Sequence, residues 1–114
     1  MFEKLFSRSP PETNPLVISH EELERALSEG ACALVDVREP NEFAGGHIAN
    51  AINLPLSAFD PARLPADKPV VLVCRSGGRS ATALNRVRSS GRSDVKHWAG
   101  GVMGWQANGG RLTK

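Results

Sequence analysis

The 114-residue chain, 40% hydrophobic, 23% charged and 5% aromatic, has room for one small globular core and not for two, since domains seldom fall below ~50 residues. Its two cysteines, Cys32 and Cys74, do not make a stapled scaffold, and a chain of this size needs none; both are expected as free thiols in a reducing compartment. The net charge of +2 hides an asymmetry: residues 1–74 carry six Lys/Arg against eleven Asp/Glu, net −5, whereas residues 75–114 carry eight against one, net +7.

In chain order, residues 1–15 contain Pro10, Pro11 and Pro15 among small polar residues and are expected as an extended lead-in to a single domain over residues 16–114. The early acid Glu3 interrupts any secretory core, so a cytoplasmic protein is expected. Leu16-Val17-Ile18 is a short strand candidate. Ser19-His20-Glu21-Glu22 has the form of a capping box, opening a helix with Leu23, Ala26 and Leu27 on one face and closing at Gly30. Ala33-Leu34-Val35-Asp36-Val37 is a near-continuous apolar run suited to a strand covered on both faces, and its end delivers Asp36, Arg38 and Glu39.

A brief helical turn around residues 41–44 ends at Gly45-Gly46, and residues 47–54 lead into a short strand stopped by Pro55. Pro61, Pro65 and Pro69 limit residues 56–69 to a turn or two of helix. Val70-Val71-Leu72-Val73-Cys74 is the clearest central strand and the longest strongly apolar run, far short of the ~20 residues that cross a bilayer, so no membrane span is expected. A helix from Ser80 follows, with Ala81, Leu84 and Val87 as its inward face, closing at Gly91. Val95-Lys96-His97-Trp98 is a last strand, and Gly100-Gly101 leads into a final helix carrying Val102, Met103 and Trp105. Strands alternating with helices predict a parallel sheet covered on both faces.

Ligands of open α/β sheets bind beyond the carboxyl ends of the strands. Cys74 stands there, immediately before a turn into a helix, where unpaired N–H groups and the positive end of the dipole favour an anion and lower a thiol pKa. Gly77-Gly78 allows successive amides of Arg75, Ser76, Gly77, Gly78, Arg79 and Ser80 to curl inward, with Arg75 and Arg79 as flanking guanidiniums. Such a loop suits a nucleophilic thiolate and an anionic sulfur or phosphorus substrate. Nucleic acid is a poorer fit to the basic half, because no aromatic residues interleave with the arginines.

These residues carry a family resemblance. Asp36-Val37-Arg38-Glu39-Pro40-Asn41-Glu42-Phe43 and then Gly46-His47-Ile48-Ala49-Asn50-Ala51-Ile52-Asn53-Leu54-Pro55 resemble the first signature of single-domain rhodanese sulfurtransferases; Cys74-Arg75-Ser76-Gly77-Gly78-Arg79-Ser80 resembles their active-site loop, and Gly100-Gly101 with Trp105 their closing motif. The match runs over residues 16–109 in the family's order, departing from it at Gly109-Gly110-Arg111, where many members have Gly-x-Pro. The resemblance implies a three-layer α/β rhodanese fold with a five-stranded, mostly parallel sheet flanked by helices. It also implies a ping-pong reaction without metal or organic cofactor, in which Cys74 takes sulfane sulfur from thiosulfate or a similar anionic donor as a persulfide and passes it to a thiol, cyanide or a carrier protein. Two alternatives accompany it: a relay or protein-binding module of the same fold, without efficient thiosulfate turnover, and a cysteine-dependent phosphatase or arsenate reductase. Four residues separate Cys74 from Arg79, one fewer than phosphatases of this kind use, and Ser80 stands where their arginine would.

Asp36 and Arg38 are the supporting candidates, Asp36 either bracing a loop arginine or hydroxyl or forming a structural ion pair. His47 is expected to fix its loop through a hydrogen bond, since a thiolate already ionised needs no base. His20 and His97 are expected as surface and packing residues, and Trp98 and Trp105 as core or rim. No zinc pattern is present. Cys32, at the opposite strand end and without basic neighbours, is expected as a packing residue. Arg86, Arg88 and Arg92 belong to the outgoing helix, as a solvated face or a docking surface for an anion or an acidic carrier protein.

Overall fold

A computed structural model of the chain describes residues 16–114. The lead-in expected over residues 1–15 lies outside them. Helix α1 (His20–Glu29) opens with the capping box: the Ser19 hydroxyl accepts from the Glu22 amide while the Glu22 carboxylate accepts from the Ser19 amide, both at 3.1 Å. It closes at Gly30, whose φ of 65° is the left-handed cap. Strand β1 (Ala33–Asp36), helix α2 (Pro40–Ala44) and strand β2 (Ile52–Asn53) follow, then two single 3₁₀ turns, Leu56–Ala58 and Pro61–Arg63. Strand β3 (Val70–Val73), helix α3 (Gly78–Ser89), strand β4 (Val95–His97) and helix α4 (Gly101–Ala107) complete the chain.

The sheet is parallel throughout, in the order β2-β1-β3-β4. Among the described residues it has four strands where five were expected. Residues 16–18 contribute only one bridge at the β4 edge, the Ile18 N–H donating to His97 O (3.0 Å) and the His97 N–H to Leu16 O (2.9 Å). Pro15 has no N–H to lengthen that ladder and Ser19 is already the cap of α1, so the pairing stops at one bridge.

Alternation along β3 divides the core. Val70, Leu72 and then Cys74 face one layer with Val35, Val37, Leu84 and Val87, while Val71 and Val73 face the other with Leu23, Leu34, Ile48 and Trp98. Three layers result: α3 and the 3₁₀ turns, the sheet, and α1 with α4. Each fully buried Val or Leu stabilises the fold by ~1.5–3 kcal/mol, and all four β3 residues are buried, which makes β3 the rigid stem of whatever its end carries.

The inward face of α3 is Ser80, Ala83, Leu84 and Val87 rather than the expected Ala81, Leu84 and Val87. Leu84 and Val87 set the phase, and the 3.6-residue period then turns Ser80 inward; a polar residue is invisible to a search for apolar spacing. The divergent tail is also packed. Trp105 Nε1 donates to Arg111 O (3.0 Å), Leu112 joins the second core layer, and Thr113 and His47 exchange backbone hydrogen bonds at 2.8 Å.

Leu72→Ala is expected to lower the unfolding free energy by ~2–5 kcal/mol, and Ile52→Ala, at a position 44% exposed on the edge strand, by no more than ~0.5 kcal/mol. Urea unfolding of the two variants checks this, and equal losses would contradict the layer assignment.

Candidate active site

Cys74 is 1% exposed and continues β3 toward α3. The loop after it is held from outside: the Val102 N–H donates to Cys74 O (2.8 Å) and the Met103 N–H to Arg75 O (3.0 Å). These are first-turn amides of α4, which have no partner within their own helix. With its carbonyls turned toward α4, the loop turns amides toward the sulfur. The Gly77 N–H reaches Cys74 Sγ at 3.1 Å, and Ser80 Oγ lies 3.6 Å away. Burial by itself raises the thiol pKa, but the Ser80 amide, the Ser80 hydroxyl and the amides of Gly77 and Ser76 outweigh it, and the Cys74 pKa lies below that of an ordinary thiol.

Two glycines make this possible. Gly77 sits at φ +107°, and a Cβ there would lie 2.7 Å from Ala99 O. Gly101, at φ +63°, lets α4 approach so closely that a Cβ would lie 2.6 Å from Cys74 O. Gly78 differs from the expectation that both members of the pair are needed: it is the first residue of α3, its φ is not positive, and nothing lies within 4 Å of its would-be Cβ.

The two loop arginines are not equivalent. Arg79, expected as an anion-binding guanidinium, is bound in a fork to Glu42, Nη1 to Oε1 at 2.6 Å and Nη2 to Oε2 at 3.0 Å. That hydrogen bonding pulls the Glu42 carboxyl down to about 2, so the pair persists at any neutral pH. Arg75 is exposed, with no ion-pair partner among the described residues. Ser76 and Gly78 are exposed, and Ser80 is fully buried.

Asp36 and Arg38 pair with each other instead of with the Cys74 loop. Asp36 Oδ2 accepts from Arg38 Nη2 at 2.9 Å, Arg38 Nη2 also donates to Gly46 O (2.8 Å), and Asn53 Nδ2 donates to the carbonyls of both residues. Of the two roles weighed for Asp36, the structural ion pair is the one observed. It shapes one wall of a cleft of about 370 Å³ whose lining includes Arg38, Glu42, Arg75 and Met103. Met103 is 48% exposed there.

His47 stacks on Phe43 at 3.7 Å and its Nδ1–H donates to the Phe43 carbonyl (2.8 Å), fixing the turn after α2. His97 does more than pack: its Nδ1 lies 2.9 Å from Ser80 Oγ. His20 is not a plain surface residue, its ring lying 5.3 Å from that of Trp98 and 6.0 Å from that of Trp105. Cys32 does sit at the opposite strand end, where burial raises its thiol pKa, yet Lys68 is near enough to oppose that shift, contrary to the expectation of no basic neighbour. Arg86 donates to Leu56 O, and Arg92 lies past the end of α3, paired with Asp94 at 2.7 Å.

Fold and site together define a class: an α/β protein holding a recessed, acidified cysteine in a ring of amides between a central strand and a helix. The comparisons narrow it. Residues 19–108 match the rhodanese-like domain, and the chain belongs to that family. It is 42% identical over 103 residues to protein slr1261 of Synechocystis, covering 89% of this chain and 57% of that one. It is 34% identical over 104 residues to the thiosulfate sulfurtransferase GlpE of Pseudomonas savastanoi, covering 90% and 89%. A rhodanese-related protein of Thermoplasma volcanium superposes with a TM-score of 0.75 at 31% identity, covering 85% of this chain and 96% of that one. The chain spans 57 and 62% of the length of the two relatives at 42% identity.

Gly77→Ala is expected to slow the reaction of the Cys74 thiol with a thiol-specific reagent at neutral pH by about tenfold or more, because a left-handed φ strains any residue with a Cβ by ~1–3 kcal/mol and the clash with Ala99 shifts the amide off the sulfur. Gly78→Ala is expected to leave the rate within about twofold, its Cβ meeting nothing. The thiol-modification rates of the two variants decide, and equal losses would mean that the amide ring is built otherwise.

Proposed function

We propose that residues 16–114 form a single rhodanese unit that moves sulfane sulfur from thiosulfate, or a similar anionic donor, to a thiophilic acceptor through a persulfide on Cys74, in the cytoplasm. The observation that carries this reading is the Gly77 amide 3.1 Å from a buried sulfur whose pKa is lowered. The Cys74 thiolate attacks the outer sulfur of thiosulfate; the new S–S bond forms as the old one breaks, and its electron pair leaves with sulfite. The outer sulfur stays on Cys74 as a persulfide anion, within reach of the same amides. An acceptor nucleophile, such as a thiolate or cyanide, then attacks that terminal sulfur and the Cys74 thiolate is regenerated. Every atom and charge is accounted for without metal or redox cofactor.

Arg75 supplies the free positive charge for the sulfonate oxygens, while Arg79, held by Glu42, braces the loop. The recessed thiol suits the slim end of thiosulfate, since the attacked sulfur has to enter the ring. The name of the similar GlpE protein supports the same donor.

Intact mass before and after incubation with thiosulfate under non-reducing conditions tests the proposal. Wild type and Cys32→Ser are expected to gain one sulfur atom that cyanide or a thiol discharges, and Cys74→Ser to gain none. Sulfur transfer retained by Cys74→Ser would overturn the mechanism. No gain in a folded protein with Cys74 reduced would favour a relay that takes its sulfur from a protein donor.

A further inference from the structure

Ser80 Oγ is the junction of a short polar chain that runs from the active sulfur into β4. It lies 3.6 Å from Cys74 Sγ, 2.9 Å from His97 Nδ1 and 3.2 Å from Gly77 O. The hydroxyl has one hydrogen to give. Gly77 O is a third acceptor within reach, but it is neutral and already accepts from the Ala81 amide (3.1 Å), so a buried thiolate is the stronger claimant of the two. The competition is therefore between the sulfur and the imidazole. A thiolate can only accept, so if Nδ1 were bare it would draw the hydrogen away at the shorter distance and leave the buried anion without its hydroxyl donor. If Nδ1 carries hydrogen, it donates into a lone pair of Ser80 Oγ and leaves the hydroxyl hydrogen to the sulfur and the Gly77 carbonyl, of which the charged thiolate is the stronger acceptor.

Resting on the sulfurtransferase reading, we propose that His97 is a positioning residue for Cys74: its Nδ1–H fixes the Ser80 hydroxyl as a donor to the Cys74 thiolate. The surroundings suit the task. His97 is 8% exposed, and its burial disfavours the charged form, so the ring acts as a neutral tautomer rather than as a second cation beside the sulfur. The backbone of His97 is tied on both sides, its N–H to Leu16 O and its carbonyl to the Ile18 amide. Of the other charged groups near the loop, Arg79 is paired with Glu42 on α2 and Asp36 with Arg38 after β1, while Arg75 on the loop and Lys96 beside His97 are exposed to solvent. None of these meets Ser80 Oγ in a hydrogen bond among the described residues.

The direct test is made on the unmodified ring. In ¹⁵N-labelled Cys32→Ser protein, at a pH where Cys74 is a thiolate, two-bond ¹H–¹⁵N spectra are expected to show His97 with Nδ1 protonated and Nε2 bare; a bare Nδ1 would overturn the proposal. The functional test is the pH profile of single-turnover sulfur uptake from thiosulfate. His97→Leu is expected to move its midpoint up by about one unit and to slow uptake about tenfold at neutral pH, a usual size for one lost hydrogen bond to a charged group. His97→Asn, whose amide can donate from a similar position, is expected to restore most of the rate. In a Ser80→Ala background, His97→Leu is expected to change nothing further, a coupling that loss of packing alone would not produce. Identical midpoints in wild type, His97→Leu and Ser80→Ala would refute the link. Should His97→Leu not fold, His97→Asn, Ser80→Ala and the tautomer still decide. No sulfur uptake by the unmodified protein would sink the sulfurtransferase reading, and the tautomer alone would then decide the role of His97.

Discussion

The site depends on the two hydrogen bonds by which α4 takes hold of the loop after β3. Val102 and Met103 donate to the carbonyls of Cys74 and Arg75; the peptide that carries Arg75 O presents its Ser76 N–H to the other side, and fixing the start of the loop sets where Gly77 and Ser80 follow. That is why residues far from Cys74 in sequence decide its chemistry. Gly101 is the point of closest approach, and no residue with a Cβ fits at its φ of +63° against the Cys74 carbonyl. Trp98 and Trp105, edge to face at 6.3 Å, brace α4 from its other side.

The second constraint is electrostatic. A buried thiolate is costly unless its surroundings replace water, and here the replacement comes mainly from neutral dipoles: the amides of Ser80, Gly77 and Ser76 and the Ser80 hydroxyl. Charge is kept one step back. Arg79 is neutralised by Glu42 and serves as a strut between α3 and α2, while Asp36 and Arg38 hold the β1–α2 turn through Gly46. Of the loop arginines only Arg75 is unpaired among the described residues, so the positive field around the loop comes from the basic second half of the chain and one exposed guanidinium.

Strands, helices and the place of Cys74 at the end of the central strand are legible in the sequence because they leave strong local marks: the β-branched run before Cys74, the Ser19–Glu22 capping box, the glycines that close helices. The fifth strand is where those marks mislead, since the apolar triplet between Pro15 and Ser19 makes one bridge only, with a proline before it and a helix cap after it. The site is legible as a loop but not as a network. Two arginines look alike in a sequence, and only the fold shows that Glu42, 37 residues away, claims one of them. Ser80 is recognisable as part of the loop, yet its link to His97 joins the first turn of α3 to the end of β4, and no spacing rule connects the two. A histidine directly before Trp98 in an apolar strand carries the only available signal, a polar group at a position whose burial would need a partner.

Neutral donors around Cys74 hold its pKa below that of an ordinary thiol. Titrating the thiolate absorbance of the Cys32→Ser protein tests this most directly, because Cys74 is then the single thiol. The thiolate is stabilised by the fold, so its signal is expected to appear as pH rises through a midpoint clearly below the free value of ~8.5. A midpoint at or above that value would mean that burial wins over the amide ring, and the account of the site would be wrong.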